Sequence, residues 1–336
     1  MRIVFINNFF NPGGSAKTAL ALAEKFYEKN EMRFYGFWDG CFRAKFSDFG
    51  LTKLLPSINF DYGFELIADL ESFDPDIVHI FLPGAQNPSY INLLPSKAKK
   101  FITVLCEQKI AFDNKNFEKV LFLSNYSKNF NKSIDNSLVI RPSYDYNFLE
   151  KVQRSKPVLS RVSAFCRSKL LDHTFSAAAM FKKNDWVIAG EIQDQNYYKN
   201  LISTKELMGL KNLKIISNLS DSHKDSIIND CDIWHYPTSS ETFCFSVLEA
   251  MAAKKPVISY KLDAVKEFFD SDEWLADSYD DMLEKTGRMI SLSPAERTKI
   301  GISNYKLYIK NSSEFYADAV MKEYENVLLN NNHTSL

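Results

Sequence analysis

Glycine is scarce in this chain, with 11 in 336 residues, and one consequence falls at the N-terminus. The string Gly13-Gly14-Ser15-Ala16-Lys17-Thr18 has the composition of a phosphate-binding P-loop. The Walker A spacing needs glycines at positions 11 and 16, which are Asn11 and Ala16, so an ATPase of the ParA type is a remote reading. Cysteine is also sparse. Cys41, Cys106, Cys166, Cys231 and Cys244 are scattered without C-x-x-C spacing, which excludes a recognisable zinc site and points to a reducing compartment. No stretch approaches the ~18–20 apolar residues of a membrane span. The apolar N-terminal run is broken early by Asn and Pro, so it reads as a strand and not as a signal peptide. A cytoplasmic protein is expected. The net charge of −1 offers no general affinity for nucleic acid or another polyanion.

What the chain does have is ordinary globular material, 45% hydrophobic and 25% charged, in a length that suggests two domains. Apolar runs at residues 3–7, 32–38, 77–82, 101–106, 120–123 and 138–140 alternate with helical or loop segments. That is the pattern of a parallel α/β sheet. In the first unit, Gly13-Gly14 opens a helix at about residues 16–29, with Ser15 as its expected N-cap. A backbone bare of side chains there lets a phosphate or sugar approach closely, or merely lets the helix pack on its strand. Residues 144–156 turn polar and irregular, as an interdomain linker would. A second alternating series follows, with strands at 158–162, 186–189, 213–216 and 232–236, and then mostly helices from 264 to 329. Residues 330–336 are polar, and fraying is expected there.

The most informative stretch is 234–260, where a strand, a small-polar loop and a helix start lead into another strand. Glu241 and Glu249 lie eight positions apart around that helix start. Free N–H groups and the helix dipole make such a junction fit for an anion. The plain alternative is a capping box, since Ser246 and Glu249 have S-x-x-E spacing. Arg161, Arg167 and Lys169 follow the first strand of the second half, and such cations can bind a diphosphate without metal. They can equally be surface charges. Asp74-Pro75-Asp76 and Asp230-Cys231-Asp232 have metal-pair spacing, but each precedes a strand, where carboxylates usually hold turns. His79 closes an apolar run, so it is either a ligand group or packing. The basic run Lys97-Ala98-Lys99-Lys100 is either a solvated loop or a peripheral contact with an anionic membrane.

Taken in order, these pieces resemble family 4 glycosyltransferases of the GT-B fold over nearly the whole chain. SSETFCFSVLEAMAAKKPVIS resembles the family's Glu-x7-Glu signature, and NPGGSAKTALALAEKF its N-terminal glycine loop and helix. DPDIVHIF, VIRPSYDYNF and SRVSAFCRSK occupy the places of three further family segments. The resemblance implies an α/β protein of two Rossmann-like doubly wound domains facing across a cleft. Residues 1–150 would bind the acceptor and residues 151–312 the donor, with a last helix at 313–329 crossing back to the first domain. It also implies a retaining, metal-independent transferase of polysaccharide or glycoconjugate synthesis, with no cofactor. Its donor would be a nucleotide sugar such as a UDP- or GDP-sugar, and its acceptor a carbohydrate or lipid-linked glycan. Glu241 would face the donor sugar, Glu249 hold the ribose hydroxyls, and the backbone at Phe243, Cys244 and Phe245 cover the diphosphate. Gly13 and Gly14 would approach the same donor. Arg161 and Lys169 would contact the diphosphate, with Arg167 competing for the place of Lys169. Cys106, where the family often has histidine, Glu107 beside it and His79 would lie on the acceptor side. Ser160, Leu170, Cys244 and Lys254 stand where the family usually has glycine, and each costs roughly 1 kcal/mol if its φ stays positive. The competing class is a non-catalytic binding or scaffold subunit of the same fold.

Overall fold

In the computed structural model, described for all residues except 11–12, 41, 56–62, 83–89, 92–93, 106–107, 112–113, 143–147, 150–151, 312–315 and 333–336, the chain divides into two compact units. The first comprises Met1–Tyr144 with Ser312–Leu336, and the second Asp145–Asn311.

The first unit is built on one parallel sheet. Its elements are β1 (Arg2–Phe9), α1 (Gly14–Phe26), β2 (Glu31–Trp38), α2 (Arg43–Ser47), β3 (Leu51–Leu54), α3 (Gly63–Phe73), β4 (Ile77–Leu82), β5 (Lys99–Val104), β6 (Lys119–Phe122), α4 (Asn125–Asn129) and β7 (Ser137–Val139). The strand order is β3-β2-β1-β4-β5-β6-β7. Its central strands are buried on both faces, which is why they read as continuous apolar runs and not as alternation. Helix α1 starts one residue before the expected cap. Gly13 is its N-cap without a side-chain bond, and Ser15 is buried inside the first turn. With the helix already running at Gly14, the string GGSAKT forms a helix start and not a phosphate-cradling loop.

The second unit carries β8 (Val158–Val162), α5 (Leu171–Met180), β9 (Asp185–Gly190), α6 (Gln195–Leu207), β10 (Leu213–Ser217), α7 (Asp221–Asp230), β11 (Ile233–Tyr236), α8 (Phe245–Ala252), β12 (Val257–Tyr260), α9 (Asp263–Lys266), β13 (Leu275–Ala276), α10 (Tyr279–Ser291) and α11 (Pro294–Asn311). Its sheet runs β10-β9-β8-β11-β12-β13, and every pairing is parallel. The order reverses between β8 and β11, the topological switch point at which open α/β sheets bind ligands beyond their carboxyl ends. Helix α12 (Tyr316–Asn332) belongs to the first unit. It buries Tyr316, Ala317, Val320 and Tyr324, one face of a helix, against α1 and the sheet.

His79 lies in the core of the first unit, which corrects its expected acceptor-side place. It is fully buried in the middle of β4, Nε2 meets the Thr103 hydroxyl at 2.7 Å, and Nδ1 is bonded to the Tyr324 hydroxyl of α12. Its ring stacks on Phe81 at 4.4 Å, so no nitrogen is left for a ligand. Burial pushes its pKa down to about 3, and His235 in β11 of the second unit is likewise held at about 3. An unfolded histidine takes up its proton near pH 6.5, whereas these two stay neutral in the fold. Stability should therefore be complete above about pH 6.5 and fall by about 1.4 kcal/mol per pH unit for each histidine below it. Urea unfolding at pH 6.5 and 5.5 checks this, because carboxylates hardly titrate in that interval. A His79→Gln chain should lose its share of the slope, and equal stability at both pH values would refute the account.

The basic run at 97–100 is the start of a strand and not an open loop. Ala98 is buried, Lys99 opens β5 and pairs with Glu118 at 3.1 Å, and Lys100 is half-buried with its pKa lowered by that burial. No helix among the described residues is long and apolar enough to cross a membrane.

Candidate functional site

Three features meet where β8 and β11 diverge. Arg161, near the end of β8, is 0% exposed. Its Nη1 donates to the Pro237 carbonyl at 2.9 Å and to the Thr174 hydroxyl at 3.2 Å, and the guanidinium stands 4.9 Å from the centre of the Tyr236 ring. Its Nε and Nη2 are buried without a hydrogen-bond partner. Leaving two N–H-bearing nitrogens unbonded in the interior is costly, and no other group among the described residues repays that cost. Burial pulls the guanidinium pKa down, while Tyr236 and Glu241 act in the other direction.

Lys169 closes a 3-10 turn (Arg167–Lys169) after β8, and its Nζ donates to Glu241 Oε1 at 2.6 Å. The same oxygen accepts from the Tyr236 hydroxyl at 2.9 Å and from Thr238 Oγ1 at 3.3 Å. Burial, and after it the charge of Glu241, pushes the Tyr236 phenol pKa well up, so it remains a donor. Ser239 N and Oγ both donate to the Ser168 carbonyl, at 2.9 and 3.0 Å, and tie the loop after β11 to the 3-10 turn. Arg167 goes elsewhere. It is largely exposed, 4.0 Å from Asp194 and above the Tyr197 ring, so Lys169 is the cation that meets Glu241.

Helix α8 begins at Phe245 with Cys244 as its N-cap, and no side chain caps it. The capping-box reading is thereby corrected: the Ser246 hydroxyl donates instead to the Val162 carbonyl at 2.6 Å and pins the helix start to β8. Phe243 is buried, its ring against Phe245 at 4.9 Å and Phe268 at 5.4 Å, and so anchors the loop. Glu249, in the second turn of α8, is buried and pairs with Lys224 of α7 at 2.7 Å. Of the four positions where the family favours glycine, Leu170 (φ 44°), Cys244 (φ 58°) and Lys254 (φ 54°) are left-handed, whereas Ser160 lies in β8. Two of the three flank the site, at the N-caps of α5 and α8.

Both aspartate pairs sit at the opposite, amino ends of their strands. Asp74 and Asp76 hold Arg2, the latter through its backbone N–H at 2.7 Å, and Asp232 accepts from Arg154 and from the Val158 N–H. No cluster of three metal-ligating side chains occurs among the described residues. Gly13 and Gly14 open α1 at the carboxyl end of β1 in the first unit. Cys106 and Glu107 fall outside the described residues.

Residues 147–306 match the family described as glycosyl transferases group 1. The second unit is a group 1 glycosyltransferase domain. The match spans the sheet, Arg161, Lys169, Glu241 and Glu249, so the family 4 resemblance stands at the level of group 1. No curated protein matches the sequence. Among solved structures, Anabaena HepE in complex with UDP and glucose is similar over 100% of both chains, with a TM-score of 0.78 at 14% identity. Sucrose-phosphate synthase from Thermosynechococcus elongatus aligns over 98% of this chain and 100% of its own, with a TM-score of 0.80 at 12% identity. A glycosyltransferase from Rickettsia africae aligns over 97% and 98%, with a TM-score of 0.77 at 15% identity. At such identities the likeness speaks for the fold, which is GT-B.

Tyr236 and Thr238, two of the three donors on Glu241 Oε1, were not singled out from the sequence of the glycosyltransferase domain. Nor was Lys224. The only trace of the first two is their place in the strand and loop just before Glu241.

Proposed function

We propose that the chain is a retaining, metal-independent glycosyltransferase that moves a sugar from a nucleoside diphosphate sugar to a carbohydrate or lipid-linked acceptor. The observation that carries the reading is Arg161, a buried cation with two unbonded nitrogens, set beside Lys169 and the start of α8. A diphosphate at that junction would satisfy those nitrogens. As the bond from sugar to diphosphate breaks, negative charge grows on the leaving group, and fixed cations with a helix N-terminus stabilise it more than they stabilise the bound donor. They would do the work that a divalent ion does in other transferases. Glu241, fixed by Lys169, Tyr236 and Thr238, would face the donor sugar, and Glu249 its ribose. Cys244 would shape the backbone over the diphosphate. UDP in the HepE structure favours a uridine donor as the first to try. Synthesis of a cell-surface polysaccharide or glycoconjugate, with the chain in the cytoplasm or at the inner membrane face, fits such an acceptor.

The test is incubation with a panel of nucleotide sugars, reading released nucleoside diphosphate and product anomer. Glu241→Gln should lower turnover by about 10²–10³-fold, since a fixed charge at the reacting sugar is lost, while nucleoside diphosphate binding stays within a few-fold. Binding without release for every donor and acceptor would make the chain a non-catalytic binding subunit. Absence of any nucleoside diphosphate binding would overturn the reading altogether.

A further inference from the structure

Glu249 of α8 and Lys224 of α7 form the most deeply buried lysine–carboxylate pair among the described ion pairs, with side chains 4% and 14% exposed and a separation of 2.7 Å. Nothing in stability alone calls for such a pair. Burying two charges costs about as much as their attraction returns, and a close-packed apolar pair does as well or better. The place of Lys224 adds to the cost. It is the fourth residue of α7, whose start is capped by the Ser220 hydroxyl at His223 N, and a cation near a helix N-terminus opposes the dipole. Helix α7 follows β10 and α8 follows β11, so both helices start from the carboxyl edge of the sheet, as do the turn with Lys169 after β8 and the loop with Glu241 after β11. Glu241 is held in a parallel way, by Lys169 at Oε1. Each glutamate of the eight-residue repeat thus has one oxygen bonded to a lysine from another strand–helix junction.

We infer that Lys224 is a positioning residue for donor recognition: its ammonium fixes the Glu249 carboxylate in the orientation that accepts hydrogen bonds from the ribose 2′- and 3′-hydroxyls, and so selects ribonucleotide donors. This rests on the donor site proposed above. Removing one of the groups that hold this buried carboxylate would loosen it, so that it presents its oxygens less uniformly and loses more entropy on binding. A carboxylate held at Oε1 by a nearly buried ammonium meets the diol already oriented. Lys224 acts through Glu249, so its effect belongs to the ribose and not to the phosphates, which Arg161 and Lys169 hold.

The experiment measures the Kd of the full chain for UDP, 2′-deoxy-UDP and inorganic pyrophosphate by calorimetry, with GDP and ADP in place of UDP if they bind better. In Lys224→Met, binding of the ribonucleotide should weaken about 10-fold, that of the deoxy analogue less, and that of pyrophosphate less than twofold. Lys224→Met placed in a Glu249→Gln background should add no further loss, because the group it orients is already altered. Lys224→Arg, which keeps the charge, should restore part of the discrimination between UDP and 2′-deoxy-UDP. If Lys224→Met fails to fold, Lys224→Gln and Lys224→Arg read the same ratios. An equal loss for all three ligands, or an unchanged ratio in a folded variant, overturns the inference. Wild-type protein that binds no nucleoside diphosphate overturns instead the donor site on which it rests.

Discussion

Arg161→Met is expected to abolish nucleoside diphosphate binding and leave the fold as stable as the native one, or more so. The two effects have one cause. Arginine carries five N–H donors on three nitrogens and accepts nothing, and here only Nη1 is bonded, to Pro237 O and Thr174 Oγ1. Nε and Nη2 are fully buried without partners, and the unliganded protein bears the desolvation cost of that charge. Methionine follows the same path beside the Tyr236 ring, removes the cost, and leaves unmet only the two acceptors that Nη1 served. The stability change should therefore be small, within about 1 kcal/mol of zero or in favour of the variant. Function should suffer in full. A diphosphate bonded to two buried guanidinium nitrogens loses about 3 kcal/mol or more without them, at least 100-fold in affinity, and the leaving group loses its fixed positive charge. Thermal melts with and without UDP read both halves together. A variant that melts as high as wild type but is no longer stabilised by UDP is the expected result. If it binds normally, Arg161 is not a phosphate ligand. If it unfolds, the guanidinium serves the core.

The contrast between what could and could not be read in the sequence follows from the range of the interactions. Strands β1, β4 and β11 are buried on both faces, so each leaves a largely apolar run, and the alternation of such runs with helices gives the doubly wound sheets. Strand β3, half-exposed with mixed residues, and the two-residue β13 leave no such trace. The left-handed backbone at Leu170, Cys244 and Lys254 was legible for a local reason, since only a turn that prefers glycine gives a family its glycines there. Ser160 failed the same test because a strand interior has another use for a small residue, close packing. The choice between ligand and packing for His79 stays open in the sequence because its partner, Tyr324, is supplied by a helix 245 positions away. No local pattern tells a histidine that ends at a ligand from one that ends at such a hydroxyl. Glu249 is the intermediate case: its spacing from Glu241 was visible, but Lys224, 25 residues earlier on another helix, became its partner only through folding.

Arg297→Met is expected to do the reverse of Arg161→Met, destabilising the second unit by about 3–5 kcal/mol. Both arginines are completely buried, and the substitution is the same. The difference is in what each guanidinium already bonds. Arg297, in the first turns of α11, donates through Nε to Gln153 Oε1 at 3.3 Å, through Nη1 to the carbonyls of Ile290 and Leu292, and through Nη2 to the carbonyl of Arg154. Burial lowers its pKa, and the charge of Asp232 opposes that. The acceptors it serves are connected in turn, for Gln153 Nε2 donates to Asp232 O at 3.1 Å, and Arg154 Nε pairs with Asp232 Oδ2 at 2.6 Å. One side chain therefore clamps the segment leading into β8, the start of β11 and the turn between α10 and α11. Methionine fills much of the volume but leaves the buried Gln153 oxygen and three half-buried carbonyls without their donor, each costing up to about 1–3 kcal/mol where no water replaces it. Lysine should rescue little, since one ammonium cannot span the fork that the planar guanidinium covers. Urea unfolding of Arg297→Met, Arg297→Lys and Arg161→Met, compared in one buffer, reads the difference directly. The midpoint should fall sharply for the two Arg297 variants and hold or rise for the third. Equal midpoints would mean that burial of charge, and not the count of satisfied donors, sets the cost at both sites.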